Sequence, residues 1–328
     1  MRIAGFGYAA LKRPRRRTTP RLELDMIASL RTLAACTVAT ALTAATCLVS
    51  PSRAAAQAGP SAYHLFQTPE QMARTGRVPH RETGEVEYFG GSVFSNVKVV
   101  SVIWGPNVKS QTVADIGPFL AALVNSTFVD QLSIYDTDLT AVNGRAGTDQ
   151  TIARGTYFGQ VQITPKNQAL TLSDKAIRKE LAYQIGAGKL PANDLNTLYM
   201  MYFPQDITIK LGKAVSCKAF GAYHEAVSKT VTPSNTFYAV MPDCNAGFSY
   251  LTFASSHEFA EAVTDNIPTP GSHPKYPQAW NTADGYEIAD LCENNAPGIL
   301  TAGSNSYEVT QVYLNTTGAC STGSYTSP

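Results

Sequence analysis

The 328-residue chain is charge-poor and nearly neutral, with 16% charged and 44% hydrophobic residues and a formal net charge of +1. The charge is unevenly spread: residues 1–58 hold nine of the 26 Lys and Arg but two of the 25 Asp and Glu, which leaves 17 basic against 23 acidic side chains, a balance of −6, for the remainder. A mature chain of that sign is no general nucleic-acid binder, since phosphate recognition calls for a concentrated basic surface.

Taken in chain order, the sequence opens with a leader. Met1 to Asp25 is basic, with the run Lys12-Arg13-Pro14-Arg15-Arg16-Arg17, and Met26 offers a second start codon. Arg31 then precedes an Ala, Thr, Leu and Val-rich stretch from Leu33 to Val49, and Ala54-Ala55-Ala56 or Ala56-Gln57-Ala58 supplies small residues for cleavage. Residues 1–58 therefore read as a leader with a secretory signal peptide. The mature protein is expected to be secreted, extracellular or periplasmic, with no stable membrane span. Cysteine usage points the same way. Cys36 and Cys47 fall in the leader, leaving Cys217, Cys244, Cys292 and Cys320 as an even set that two disulfides account for most simply. Sequence order favours Cys217 with Cys244 and Cys292 with Cys320, although four cysteines permit three pairings.

Residues 59–89 read as an extended, polar N-terminal arm, residues 90–320 as one α/β domain and residues 321–328 as a frayed tail. Within the domain, Asn96 to Trp104 has the β-branched core of a buried strand, closed by Gly105-Pro106-Asn107. Val113, Ile116, Phe119, Leu120, Leu123 and Val124 recur at helical spacing, and Phe128, Leu132 and Ile134 continue with a further turn or short helix. Tyr157 to Ile163 reads as strand. Ser173 reads as the N-cap of a helix presenting Ile177, Leu181 and Ile185, with Gly186 and Gly188 closing it. Strands follow at Leu198 to Phe203 and Phe237 to Met241, with a less distinct one between them at Ala219 to Val227. A helix is expected at Tyr250 to Thr264 and a late strand at Tyr307 to Leu314. The alternation implies a mixed sheet with packed helices, and its order resembles that of zincin metalloproteases.

The helix at 250–264 carries the chemistry. Ser255-Ser256-His257-Glu258-Phe259-Ala260-Glu261 is an H-E-x-x-E variant of the H-E-x-x-H zinc motif. Four-residue spacing puts His257 and Glu261 on one face as metal ligands, and Asp265 continues that face one turn on. Glu258 lies about 100° around the helix, where a general base can reach water on the metal without ligating it. Glu287 and Asp290 follow in a Gly, Pro and Asn-rich stretch that can fold back to supply the third ligand of a catalytic zinc site. Two alternatives stand beside this. The carboxylates Asp265, Glu287 and Asp290 also suit calcium or a structural cluster. The serines and glutamates also suit an ordinary capped amphipathic helix. His224 is a reserve ligand or oxyanion donor, against a plain role at a sheet edge. No phosphate loop, dinucleotide fingerprint or G-x-S-x-G elbow is present.

Several segments together resemble the exordium, or phosphate-induced protein, family of secreted and cell-wall proteins. The glycine pair Gly90-Gly91 leads into Asn96-Val97-Lys98-Val99-Val100 and Ile103-Trp104-Gly105. Cys217 is followed by Gly221-Ala222-Tyr223-His224, and Tyr238-Ala239-Val240-Met241-Pro242-Asp243 runs into Cys244. The series His257-Glu258-Phe259-Ala260-Glu261, Ala279-Trp280 and Glu287-Ile288-Ala289-Asp290-Leu291-Cys292-Glu293 is the most specific part. Asn281 and Asn294 depart from the family pattern, which has Tyr and Gly there. The resemblance implies fold and extracellular location more firmly than catalysis, since some members lack the histidine. The expected function is a secreted zinc-dependent hydrolase of peptide bonds. Its alternative is a non-catalytic protein with a calcium-type site that binds cell-wall polymer or another extracellular partner.

Overall fold

A computed structural model describes residues 65–75, 85–268 and 274–328. The leader, its cleavage sites and Met26 lie outside the described residues, as do His64, His80 and His273. The elements in chain order are α1 (Pro69–Thr75), β1 (Glu87–Tyr88), β2 (Asn96–Trp104), α2 (Ser110–Val124), α3 (Thr127–Asp130), β3 (Ala153–Ile163), β4 (Thr171–Ser173) and α4 (Asp174–Gly186). They continue with β5 (Thr197–Phe203), β6 (Thr208–Leu211), β7 (Ala214–Val215), β8 (Tyr223–Ala226), β9 (Phe237–Pro242), α5 (Phe248–Thr264) and β10 (Trp280–Asn281). The last are β11 (Gly298–Ala302), β12 (Asn305–Val309), β13 (Tyr313–Leu314), β14 (Ala319–Cys320) and β15 (Ser324–Ser327).

Five of these strands form the central sheet in the order β3-β2-β5-β9-β8, parallel except for β8, which runs antiparallel to β9 along one edge. The period-2 alternation of a strand divides each apolar run between two cores. Val97, Val99 and Ile103 of β2, Leu198, Met200 and Tyr202 of β5, and Phe237, Ala239 and Met241 of β9 face the core that contains α2 and α5. Their neighbours Val100, Val102, Trp104, Tyr199, Met201, Phe203, Tyr238 and Val240 face the other core, which α4 closes with Ile177 and Leu181. Being covered on both faces is what a mainly parallel sheet requires, and it explains why these strands are largely apolar on both parities. Helix α4 begins where the sequence places its cap: the Ser173 side chain accepts a hydrogen bond from the Ala176 N–H. Past its end, Gly188 takes φ +67°, the left-handed backbone that glycine favours.

Four expectations need correction. Ser255 and Ser256 are not caps: the α5 N-cap is Gly247, and Ser256 sits mid-helix, buried, accepting the Thr310 N–H at 2.8 Å. The expected strand at 307–314 is split into β12 and β13, and Thr310, whose N–H goes to Ser256 instead of a neighbouring strand, lies in the gap. The N-terminal arm is not simply extended, because it contains α1 and anchors Phe66, 1% exposed, in the core. The C-terminal residues are not frayed. β15 pairs in parallel with β11, and Tyr325 packs edge-on against Phe128 at 5.0 Å between ring centroids. Tyr325→Ala is therefore expected to cost about 3–5 kcal/mol, as other buried aromatic truncations do. Urea unfolding measures it, and a loss under about 0.5 kcal/mol, the size of a surface substitution, would show the strand to be dispensable.

The cysteines pair as Cys217–Cys244 and Cys292–Cys320. Bonds of this kind suit an oxidising, extracellular setting. Among the described residues no single helix is long and apolar enough to cross a membrane.

Candidate metal centre

Three stretches of chain converge above the edge of the sheet. Along β8 the alternation that sends Ala222 and Ala226 into the core with α5 sends His224 the same way, so its imidazole meets the helix instead of solvent. Helix α5 is buried from Thr252 to Thr264, which brings His257, Glu258 and Glu261 inside. The loop after β10 supplies Glu287 and Asp290. It is fixed to the helix by the Asp290 N–H, which donates to Glu261 Oε1 at 3.2 Å, and closed on itself by the Glu287 N–H, which donates to Asp290 Oδ2 at 3.0 Å. The Cys292–Cys320 disulfide begins two residues later and holds the same loop to β14.

Two sets of potential ligands result, each with donor atoms within 4.8 Å of one another. The first is His257, Glu261 and Asp290. His257 Nε2 lies 2.9 Å from Glu261 Oε1 and 3.6 Å from Asp290 Oδ1. The second is His224, Glu261 and Glu287, with His224 Nδ1 3.7 Å from Glu261 Oε2 and Nε2 3.6 Å from Glu287 Oε1. Glu258 stands between the sets, its Oε2 3.3 Å from His224 Nδ1. Despite these short approaches, both ring nitrogens of His257, Glu258 Oε1 and Glu287 Oε1 make no aligned hydrogen bond among the described residues. Buried polar atoms are nearly always partnered. Buried, unpartnered ring nitrogens and carboxylate oxygens gathered in two such triads suit a cation, so the residues fit a divalent ion.

The electrostatics report the same crowding. Burial and the neighbouring Asp290 charge push the Glu261 carboxyl up to about 8. Burial together with Glu261, Asp265 and Asp290 lifts Glu287 well above the usual carboxylate range, and burial raises Glu293 to about 7. Burial works against a charged His257, but Glu261 and Asp290 outweigh it and hold the imidazolium well above its ordinary range. His224 behaves likewise, with Glu258 the main opposing influence. Protons occupy places in this cluster that positive charge of another kind could fill.

Asp265 is placed differently from the other acids. Its carboxylate accepts the Ala279 N–H at 3.0 Å and the Asn281 side-chain amide at 2.7 Å, and so is turned from both triads. Its contribution is the backbone carbonyl, 3.1 Å from His224 Nε2. Asn281, one of the departures from the family pattern, thus has a definite partner. Sequence reasoning missed what covers the site. Phe66 stacks over His257 with centroids 4.8 Å apart and bridges antiparallel to Ala222, the residue before β8. The Gln67 N–H donates to Glu293, and its carbonyl accepts the Tyr250 hydroxyl at 2.8 Å. Gly221 makes room for this crossing, since a Cβ there would collide with the Tyr250 hydroxyl and the Gln67 carbonyl. The signal available in advance was slight, Leu65-Phe66 in an otherwise polar stretch of the arm. Comparison of the chain with protein-family models, with curated proteins and with solved structures finds no match in any of the three.

Proposed function

We propose that this is a secreted, exordium-like protein that hydrolyses peptide bonds with a divalent metal, in a zincin-like arrangement. The observation that carries the reading is the convergence of His257, Glu261 and Asp290 around one point, with Glu258 adjacent on the same helix and one of its oxygens unpartnered. The position of that helix supports the zincin analogy: it follows a parallel strand and packs against an antiparallel edge strand. When bound, a zinc ion would polarise the scissile carbonyl and acidify the attacking water. Glu258 takes the proton from that water and returns it to the leaving amine. His257, Glu261 and Asp290 would hold the ion. Substrate enters where residues 65–67 give way, and a cleft lined by Met72, Tyr250, Phe253, Glu293 and Asn294 opens beside them.

The second reading, a non-catalytic calcium-type site on a wall-binding protein, is favoured by the surplus of carboxylates. An imidazole in each triad weighs towards zinc, since calcium takes oxygen ligands. Elemental analysis of the purified protein and of His257→Ala decides between them. Zinc that is bound by the native chain and depleted in the variant, with peptide hydrolysis that a chelator stops and zinc restores, is the expected result. Calcium, or a metal content that the substitution leaves unchanged, would overturn the hydrolase.

A further inference from the structure

Glu261 belongs to both triads, and its two oxygens divide between them. Oε1 is 2.9 Å from His257 Nε2 on the Asp290 side, and Oε2 is 3.7 Å from His224 Nδ1 on the Glu287 side. We propose that the centre binds two divalent cations bridged by the Glu261 carboxylate, one held by His257 and Asp290 and the other by His224 and Glu287. This rests on the metallohydrolase reading above and adds to it a second ion that a zinc site of the usual three-ligand kind does not need.

Three observations carry it. First, the His224 ring is oriented as a metal ligand. A carbonyl can only accept, so the 3.1 Å contact with the Asp265 carbonyl places hydrogen on Nε2. In the neutral imidazole Nδ1 then points its lone pair at Glu258 Oε2 and Glu261 Oε2, two groups that, when ionised, also offer only lone pairs. A proton or a metal cation has to lie between them. Fixing one ring nitrogen by a backbone carbonyl while the other ligates is the common arrangement around histidine ligands.

Second, Glu287 Oε1 is buried and without a hydrogen-bond partner, and the nearest cationic group it could face is the His224 ring at 3.6 Å. An ion in the first triad alone leaves that oxygen unexplained. Third, the cluster gathers Glu258, Glu261, Asp265, Glu287, Asp290 and Glu293, all buried, against two imidazoles. One divalent ion offsets too little of that charge, and buried charge persists only where it is paired. Two ions sharing a carboxylate are a recurring solution in hydrolases, where the pair clamps the attacking and leaving atoms.

The rival is a protonated His224 that merely clamps Glu258 and Glu261. Metal counting separates the two. Native mass spectrometry and elemental analysis of the native chain titrated with Zn²⁺ should give two equivalents. Glu287→Gln should retain one and lose the other, with near-ultraviolet circular dichroism checking that it folds. The chain loaded with Mn²⁺ should show an exchange-coupled electron paramagnetic resonance signal, which needs no substitution. A single equivalent in the native chain, unchanged in Glu287→Gln and with uncoupled Mn²⁺, would overturn the paired centre and leave the one-ion hydrolase standing. No bound metal at all would overturn both.

Discussion

Glu258→Gln is expected to lower the rate of peptide hydrolysis roughly 100- to 10,000-fold, the usual contribution of a positioned general base, while metal content stays at the native level. The substitution keeps the shape of the side chain and its place on α5 but removes the capacity to take a proton. The outcome therefore distinguishes the base from the ligands. His257 and Glu261 belong to the triads, whereas Glu258 belongs to neither and keeps one oxygen without a partner among the described residues. A rate within a few fold of native would remove Glu258 from the mechanism. Loss of metal along with activity would make it a ligand instead.

Stripping the metal should expose a pH dependence opposite in sign to that of most proteins near neutrality. In the unfolded chain the carboxyls titrate near pH 4. In the folded, metal-free cluster burial holds Asp265 at about 6, Glu293 at about 7 and Glu261 at about 8. Between those limits the folded state keeps protons that the unfolded state has released, so the free energy of unfolding falls as pH rises. The histidines add in the same direction. Their pKa values are raised on folding, so their stabilisation is complete at acid pH and is lost as pH climbs through the folded values. A displacement of one pH unit corresponds to about 1.4 kcal/mol, so the total decline between about pH 5 and pH 9 is on the order of several kcal/mol. Reloading with zinc should reverse the slope, because the ligands must be deprotonated to bind. At a thousandfold excess over its dissociation constant a ligand adds about 4 kcal/mol. Urea unfolding of chelated and zinc-loaded protein across that range is the measurement. A flat metal-free profile would mean that the carboxyls are not crowded as described.

Much of the sheet could be read directly. The runs at 198–203 and 237–241 are apolar throughout and that at 96–104 largely so, because both of their faces are covered, and a buried strand of that kind declares itself in sequence. Ser173 declared a helix start because capping is local. The His257 and Glu261 pairing was equally local, set by helical spacing alone. What lay beyond reach was long-range. That Glu287 and Asp290 would divide between two histidines depends on how the loop after β10 lies against α5, and on the strand parity that turns His224 inward. Asp265 shares the periodicity of the two ligands, yet the loop amides of Ala279 and Asn281 claim its carboxylate, and no pattern within the helix announces that. The same holds for β15, whose partner β11 is far from it in the chain.

Phe66 lies across His257, and Gln67 ties the same stretch to Glu293 and Tyr250. An ion that reaches His257 from this side has to pass that crossing, so exchange there depends on how often the local structure opens as well as on the strength of the coordination bonds. A chelator then strips the site at the pace of those openings, so the length of exposure, and not the chelator's strength alone, sets how completely the metal is removed.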